Sequence, residues 1–257
     1  MLIDAVQAVG AYALYIFNSL GRSFLFLMQV ITTLFTSKLK LHKLFEQMGI
    51  IGVDSLSIIL LTGAFSGGVL ALQSYIGFKR FGAEEFIGPV VALSLTRELG
   101  PVLTGLMVTG RAGSAITAEL GSMQITEQID ALKTLCINVF QFLLVPRILG
   151  AAIILPFLTV FSMMFGIVGG YLVCVHVLSL NGEQYINGIK TFVELSDVTG
   201  GLIKSSVFGL IFSWIGCYKG ITTDGGAKGV GIATTNSVVI SSILILIANY
   251  FLTALLF

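Results

Sequence analysis

Residues 148–178 read ILGAAIILPFLTVFSMMFGIVGGYLVCVHVL, an apolar run without a single Asp, Glu, Lys or Arg. A helix needs about 20 mainly apolar residues to cross the hydrocarbon core of a bilayer, so this run predicts a long membrane-spanning helix. Four more segments qualify, from about Val53 to Phe78, Phe86 to Gly110, Val198 to Tyr218 and Gly231 to Phe257. The sequence therefore predicts an all-α polytopic membrane protein, with residues 53–257 as a five-span region within one domain of residues 1–257.

The composition agrees with a chain that lies in lipid. Of the 257 residues, 56% are hydrophobic and 11% charged, whereas a soluble domain carries about 25% charged residues. This excludes a soluble enzyme and a disordered tail. Fourteen Lys and Arg against thirteen Asp and Glu leave no basic field for nucleic acid. Because the three cysteines and two histidines lie far apart, we predict neither a disulfide framework nor a metal site.

The first 50 residues predict an interfacial amphipathic helix. Ser23–Phe35 is apolar but short, which is typical of a helix that lies on the membrane surface. The alternative is a sixth spanning helix that starts near Ala11 and buries Asn18 and Arg22, although a central arginine costs about 2.5–3.5 kcal/mol on insertion scales. Basic residues flank the apolar run: Arg22, Lys38, Lys40 and Lys43.

The positive charges predict an orientation. With five spans, nine Lys and Arg fall on the side of the N-terminus and four on the opposite side, and Arg97 lies within the membrane. Cytoplasmic loops carry the excess of Lys and Arg in membrane proteins. We therefore expect the N-terminus in the cytoplasm and the C-terminus outside.

The second span contains a charged doublet in the stretch LSLTRELGP, residues 93–101. Arg97 and Glu98 fall near its middle, where ionisable residues are functional candidates because hydrocarbon does not tolerate them without partners or water. Neighbours on a helix point about 100° apart, so we expect each to meet a different partner, or both to edge a polar cavity. Pro101 deprives the Arg97 carbonyl of its helical donor, which favours a kink. The alternative is a structural ion pair that only fixes helix packing.

Small residues recur at about four-residue spacing in several spans. Such spacing lets two helices approach closely. It is compatible with a homodimer and equally with packing inside one chain. The glycines are Gly63 and Gly67, Gly105 and Gly110, Gly166 and Gly170, and Gly216 and Gly220.

The segment after the second span predicts a loop that carries a short amphipathic helix. Thr126 is suited to cap its first turn, Glu127 and Asp130 favour its N-terminal end and Lys133 its C-terminal end. Acidic residues would be repelled by anionic headgroups, so the exposed face suits a protein partner better than lipid. One apolar stripe at helical spacing comprises Ile125, Ile129, Leu132 and Leu135.

Two other connecting segments give little indication of function. Lys219–Gly231 is rich in glycine but does not match GxxxxGK[ST], and no other segment does. We interpret it as a compact turn, so any ATPase must be another chain and this chain needs no cofactor. The polar stretch Leu180–Asp197 predicts short helices outside, between the third and fourth spans.

Four stretches carry a resemblance to a known family. LSLTRELGP (93–101), GRAGSAITAELG (110–121), TEQIDAL (126–132) and GVGIATTNSVV (229–239) resemble the MlaE family. These proteins are permease subunits of ABC transporters that move phospholipids between the two membranes of Gram-negative envelopes and maintain outer-membrane lipid asymmetry. The resemblance implies a homodimer in the inner membrane with a periplasmic C-terminus. It also implies cytoplasmic ATPase subunits that bind ATP and magnesium, a STAS-domain protein, and a periplasmic hexamer of MCE-domain subunits.

The resemblance also implies residue roles. Arg97 and Glu98 would line a lipid cavity at the dimer axis, and Lys204 would lie near its outer mouth. The cavity wall would comprise Leu70, Gln73 and Phe81, where some relatives carry tyrosine in place of Phe81. Residues 119–133 would form the coupling helix in the ATPase groove. Its named members are Glu119, Thr126, Glu127, Gln128, Asp130 and Lys133.

Three functions remain open on the sequence. The first is the ABC lipid permease, in which Arg97 attracts a phosphate and Glu98 helps to eject it. The second is an ion-coupled secondary carrier with Glu98 as the titrating group, although no internal repeat of the kind common in such carriers is visible. The third is a non-transporting membrane scaffold for an ATPase or MCE ring.

Overall fold

The computed structural model describes residues 18, 21–36 and 40–256, and these residues form helices and contain no strand. The start of the alternative sixth span near Ala11 lies outside them. Eight helices follow one another in this part of the chain: α1 (21–36), α2 (Leu41–Phe81), α3 (Glu84–Ile125), α4 (Gln128–Thr134), α5 (Phe140–Val177), α6 (Gly182–Phe192), α7 (Leu195–Ile221) and α8 (Gly226–Leu256).

Five of these helices, α2, α3, α5, α7 and α8, are long and apolar enough to cross a membrane. This confirms the predicted all-α polytopic architecture. Because successive spans run in opposite directions, α1 and α4 belong to one end of the bundle with the start of α2, and α6 belongs to the other. We name these the α4 end and the α6 end.

The helices extend further than the apolar runs predicted. The prediction of a loop after Gly110 is wrong, because α3 continues without interruption to Ile125. The reason is tertiary packing: the small and polar residues of this segment form a buried face against α7 and α8. Thr117 is fully buried, and its hydroxyl bonds to Ser237 of α8 at 2.9 Å and to the Gly216 carbonyl of α7 at 3.2 Å.

Helix α1 is short, and its exposed side is also apolar, with Phe24 52%, Leu25 68% and Phe35 84% exposed. Ser23, Phe26, Val30 and Thr33 are buried along one face. The Phe26 ring packs on the rings of α5 and α7 at the α4 end. Asn18 and Arg22 are exposed on the protein surface.

Glycines set the closest helix crossing, between α2 and α5. A Cβ atom at Gly67 would collide with the carbonyl oxygen of Gly166, and one at Gly63 would lie 2.7 Å from the Ser162 carbonyl oxygen. The four-residue spacing therefore serves packing inside one chain at this crossing. Gly110 differs, because a Cβ there would meet nothing within 4 Å.

Candidate functional site

The charged doublet lies on a distorted turn of α3. Residues Leu95–Leu99 form a π-helical turn, closed by the Gly100 amide that donates to the Leu95 carbonyl. Pro101 follows, and as the sequence predicts it has no amide hydrogen to donate to the Arg97 carbonyl. The Lys204 ammonium of α7 donates to that carbonyl at 2.8 Å. π-turns occur frequently at functional sites because they expose such groups.

Arg97 meets an acidic partner from the start of α7. Its Nε and Nη2 both donate to Oδ1 of Asp197 at 2.7 Å. Asp197 is 1% exposed, and its second oxygen accepts the Glu194 amide at 2.9 Å, which caps α7. The Arg97 side chain remains 43% exposed. A buried carboxylate thus orients a guanidinium on a side chain that is partly exposed.

Glu98 meets different partners, on α7 and α8. Its Oε1 lies 2.7 Å from the Lys204 ammonium and accepts from the Thr253 hydroxyl at 2.9 Å. Its Oε2 accepts from the Asn249 amide at 2.8 Å. The Lys204 side chain is 0% exposed and that of Glu98 is 36% exposed. The prediction that Arg97 and Glu98 face separate partners is confirmed.

The four ionisable side chains form one electrically balanced group, which we name the charge cluster: Arg97, Glu98, Asp197 and Lys204. Two positive and two negative groups lie within ion-pair distance of a partner. An isolated charge in hydrocarbon or in a protein core is costly, and pairing with hydrogen bonds offsets that cost. The cluster therefore joins α3, α7 and α8 in the part of the bundle nearer the α6 end, since Asp197 lies in the first turn of α7.

Two of the predicted wall residues share a groove with α3. Leu70 and Gln73 line a mainly apolar depression of about 380 Å³ between α2 and α3, together with Leu99 and Leu103. Leu99 directly follows Glu98 in the sequence, and none of the four residues of the charge cluster is among those that line the groove. The remaining lining residues are Phe65, Ser66 and Val69.

Neither Phe81 nor Lys204, the other two residues that the resemblance assigned to the cavity, lines this groove in the single chain. Phe81 is at the α6 end of α2, 83% exposed, and does not line the groove. Lys204, expected near an outer mouth, is buried inside the bundle against Glu98. The structure therefore brings Leu70 and Gln73 together with α3 and keeps Phe81 and Lys204 apart from that groove.

The predicted coupling segment, residues 119–133, is two elements and not one helix. Thr126 does not cap α4, because its hydroxyl donates to the Ser122 carbonyl at 2.8 Å and so belongs to the end of α3. Glu127 adopts a left-handed backbone with φ of 58°, and this turn separates the two helices. Glu119 lies earlier, on α3, and pairs with the buried Arg147 of α5 at 2.7 Å.

Helix α4 itself is confirmed as a short helix with a polar outer face. Ile129 is 2% exposed and holds α4 against the core. Asp130 and Lys133 form an exposed ion pair at 2.8 Å, and Glu127 and Gln128 are exposed. The predicted apolar stripe is wrong at Leu135, which is 70% exposed because α4 ends at Thr134.

A second arginine of α3, Arg111, entered the sequence analysis only as one of the positive charges on the N-terminal side of the membrane. Arg111 binds to α2: its Nη1 donates to the Ile50 carbonyl at 3.0 Å and to the Ser55 hydroxyl at 2.8 Å. Its Nη2 lies 2.7 Å from Asp54. This contact ties α2 to α3 at the α4 end.

Sequence reasoning missed the other partners in the charge cluster. Asp197 was noted only as part of a polar stretch, although it supplies the carboxylate for Arg97. Asn249 and Thr253 lie four residues apart in the mainly apolar last third of α8. That spacing places both on one helix face, and it is the signal that would have identified them.

Comparison with known proteins identifies the family. The family profile described as Permease MlaE matches residues 44–255. The chain belongs to the MlaE permease family. A probable ABC transporter permease protein of Rickettsia bellii is 46% identical over 257 residues, 100% of this chain and 99% of the relative. An MlaE permease protein of an intermembrane phospholipid transport system in Haemophilus influenzae is 36% identical, with 100% of this chain and 99% of the relative covered.

The similarity extends beyond proteobacterial relatives. A probable ABC transporter permease protein of Synechocystis is 42% identical over 241 residues, which cover 94% of this chain and 92% of that protein. The profile match and this alignment both take in the charge cluster and α4. This MlaE-family chain is therefore a multi-pass membrane protein of the permease type.

Proposed function

We propose that this chain is the membrane-spanning subunit of an ABC transporter that moves phospholipids between membranes. One observation carries the proposal: Arg97 is fixed by the buried Asp197 and stays 43% exposed, on a helix whose Leu99 and Leu103 line a mainly apolar groove. A phospholipid offers an anionic phosphate and apolar tails, and a helix that presents both a guanidinium and apolar groove walls suits both parts. The 36% identity to the H. influenzae permease over the full chain supports the same conclusion.

The roles of the two doublet residues follow from their partners. We expect Arg97 to attract the phosphate, because a guanidinium donates well to phosphate oxygens and this side chain is 43% exposed. Glu98 is neutralised by Lys204 at 2.7 Å, so it repels phosphate only when that pair separates. We therefore expect Glu98→Gln to lower lipid release and to retain lipid binding. Unchanged co-purified lipid together with full transport in that variant would contradict this role.

Energy would come from a partner chain. We expect this subunit to be non-catalytic, with ATP and magnesium held by a cytoplasmic ATPase that receives α4 in a surface groove. The exposed Glu127, Gln128, Asp130 and Lys133 offer that partner a polar face on a helix held by the buried Ile129. A STAS-domain protein and a periplasmic MCE-domain hexamer would complete the assembly.

A homodimer in the inner membrane is the expected form. Helix α8 supports this, because it presents a row of exposed apolar side chains, including Val239, Leu246, Tyr250 and Phe251. A second copy packed on this row would bring two charge clusters toward one central cavity. We further expect the N-terminus in the cytoplasm and the C-terminus in the periplasm, as the distribution of Lys and Arg predicts.

Reconstituted transfer tests the proposed function. The permease and its partner ATPase are placed in donor vesicles, and transfer of labelled phospholipid to acceptor vesicles is measured with ATP and without it. We expect transfer only with both ATPase and ATP. Transfer by the permease alone would indicate an ion-coupled carrier, and full activity in both Arg97→Ala and Glu98→Ala would indicate a scaffold. Arg80→Ala, at an exposed site at the α6 end, is the matched control.

A further inference from the structure

A second apolar groove lies between α1, α5 and α7, separate from the groove between α2 and α3. Its volume is about 450 Å³, and its lining is wholly apolar. Leu34 of α1, Ile148 of α5 and Leu210 and Trp214 of α7 are among the residues that form its walls. None of its lining residues lines the groove between α2 and α3.

The groove runs inward from an aromatic layer at the α4 end. Its α7 wall, Val207 to Trp214, covers about 10 Å along the helix axis at 1.5 Å per residue. Next to Trp214, the Phe26 ring of α1 lies 5.6 Å from that of Phe140 and 5.7 Å from that of Tyr218. Aromatic side chains concentrate at the level of the lipid headgroups, and the Trp214 indole donates to the Ser23 carbonyl at 3.1 Å.

Two lysines, Lys40 and Lys43, lie at the α4 end close to the part of α5 that forms one wall of the groove. The ammonium groups of Lys40 and Lys43 lie 4.6 Å and 5.7 Å from the centre of the Phe142 ring, three residues before the lining residue Val145. Lys43 also pairs with Glu46 at 2.8 Å, so the local charge is positive chiefly through Lys40. Basic residues beside a groove between membrane helices favour anionic headgroups.

We propose that this groove binds one acyl chain of a resident anionic phospholipid from the surrounding bilayer, with the lipid phosphate at Lys40 and Lys43. The apolar lining accepts the acyl chain, and the neighbouring cations select the head. This lipid is not the transported one, because it contacts α1, α5 and α7 and not the charge cluster. Its acyl chain would add apolar contacts between α1 and the two spans to those that Phe26 and Val30 already make.

The experiment uses Trp214, which is the single tryptophan of the chain and lines the groove. The full-length protein is reconstituted in bilayers that contain phospholipids brominated at mid-chain, either phosphatidylglycerol or phosphatidylcholine, at equal mole fraction. Bromine quenches tryptophan fluorescence on contact. We expect brominated phosphatidylglycerol to associate about fivefold more tightly, since one cation near the headgroups contributes about 1 kcal/mol.

Two pairs of variants test the binding of the lipid headgroup and of the acyl chain separately. Lys40→Gln removes the preference for phosphatidylglycerol, whereas Lys190→Gln, at an exposed site of α6, retains it. Leu210→Phe fills the groove and lowers quenching by both lipids, whereas Ile203→Phe, also exposed on α7, does not. Equal quenching by both lipids in the unmodified protein would overturn the proposal, as would a preference that survives Lys40→Gln. Quenching that Leu210→Phe leaves unchanged would also overturn it. These readings need no transport, so they are independent of the proposed function.

Discussion

Replacement of Lys204 by methionine tests the charge cluster, because it keeps the side-chain volume and removes the ammonium. The ammonium lies 2.7 Å from the Glu98 carboxylate, 2.8 Å from the Arg97 carbonyl and 2.8 Å from the Thr253 hydroxyl. Removing one partner of a buried ion pair typically costs about 3–5 kcal/mol. Glu98 is 36% exposed, so solvation offsets part of its loss, and we expect the low end, about 3 kcal/mol.

The double variant Lys204→Met with Glu98→Met measures the interaction energy between these two residues more directly. Either single variant leaves one charge without its partner, whereas the double variant leaves neither. Replacing both members of a buried pair by apolar groups is often close to neutral. We therefore expect the double variant to lose less stability than the sum of the singles, by at least about 1 kcal/mol, within the range of interaction energies measured for residues in contact.

The assay is equilibrium unfolding in mixed micelles, with the free energy of unfolding measured for all four members of the cycle. Lys190→Met is the matched control, because Lys190 is exposed on α6 and surface substitutions usually change stability by less than about 0.5 kcal/mol. If the two single losses add to the double loss within about 0.5 kcal/mol, then Lys204 and Glu98 do not act as a pair. That result would contradict the assignment of Lys204 and Glu98 to one charge cluster.

Three further predictions concern packing, capping and orientation. Gly67→Ala should lower the free energy of unfolding by about 1–3 kcal/mol, because its methyl group meets backbone of α5, whereas Gly77→Ala on the same helix has open space and should not destabilise. Asp197→Asn should lower the melting temperature in micelles, since the buried carboxylate both pairs with a guanidinium and caps α7, and an unchanged value would argue against its role. Cys136 is exposed beside α4 while the other two cysteines are buried, so a membrane-impermeant maleimide should label inverted membrane vesicles and not intact cells. The reverse labelling would place α4 outside.

The spans could be predicted because the bilayer imposes a simple rule on composition. Each spanning helix carries an apolar run that hydropathy detects directly. The far end of α3 could not be found this way. Residues 110–121 read GRAGSAITAELG, which is typical of a loop by composition, and only contacts with α7 and α8 at Thr117 make that segment a buried helix.

The charged doublet was identified from the sequence, whereas its partners were not. A mid-span Arg–Glu doublet is conspicuous because charge is expensive there. Its partners are distant in sequence: Asp197 is 100 residues from Arg97, and Lys204 is 106 residues from Glu98. No local periodicity encodes such pairs, so the cluster appears only when α3, α7 and α8 are packed together.

Local sequence also failed to show where α4 begins, and Thr126 was therefore wrongly predicted to cap it. Thr126 followed by acidic residues reads as an N-cap. In the folded chain the Thr126 hydroxyl instead serves the last turn of α3. The left-handed backbone at Glu127 then starts the short helix one residue later than such a cap would. Local sequence signals a helix boundary here without specifying which of the two helices the threonine serves.

We propose that Arg97 binds the phosphate of a transported phospholipid. ATP-driven transfer by the double variant Arg97→Ala with Asp197→Ala tests it most directly, because that variant removes the guanidinium without leaving Asp197 as an unpaired buried charge. A hydrogen bond to a charged group contributes about 1.5–3 kcal/mol, so we predict a transfer rate about ten- to a hundredfold lower, with ATP hydrolysis by the partner retained. Transfer at the rate of the unmodified permease would contradict the account.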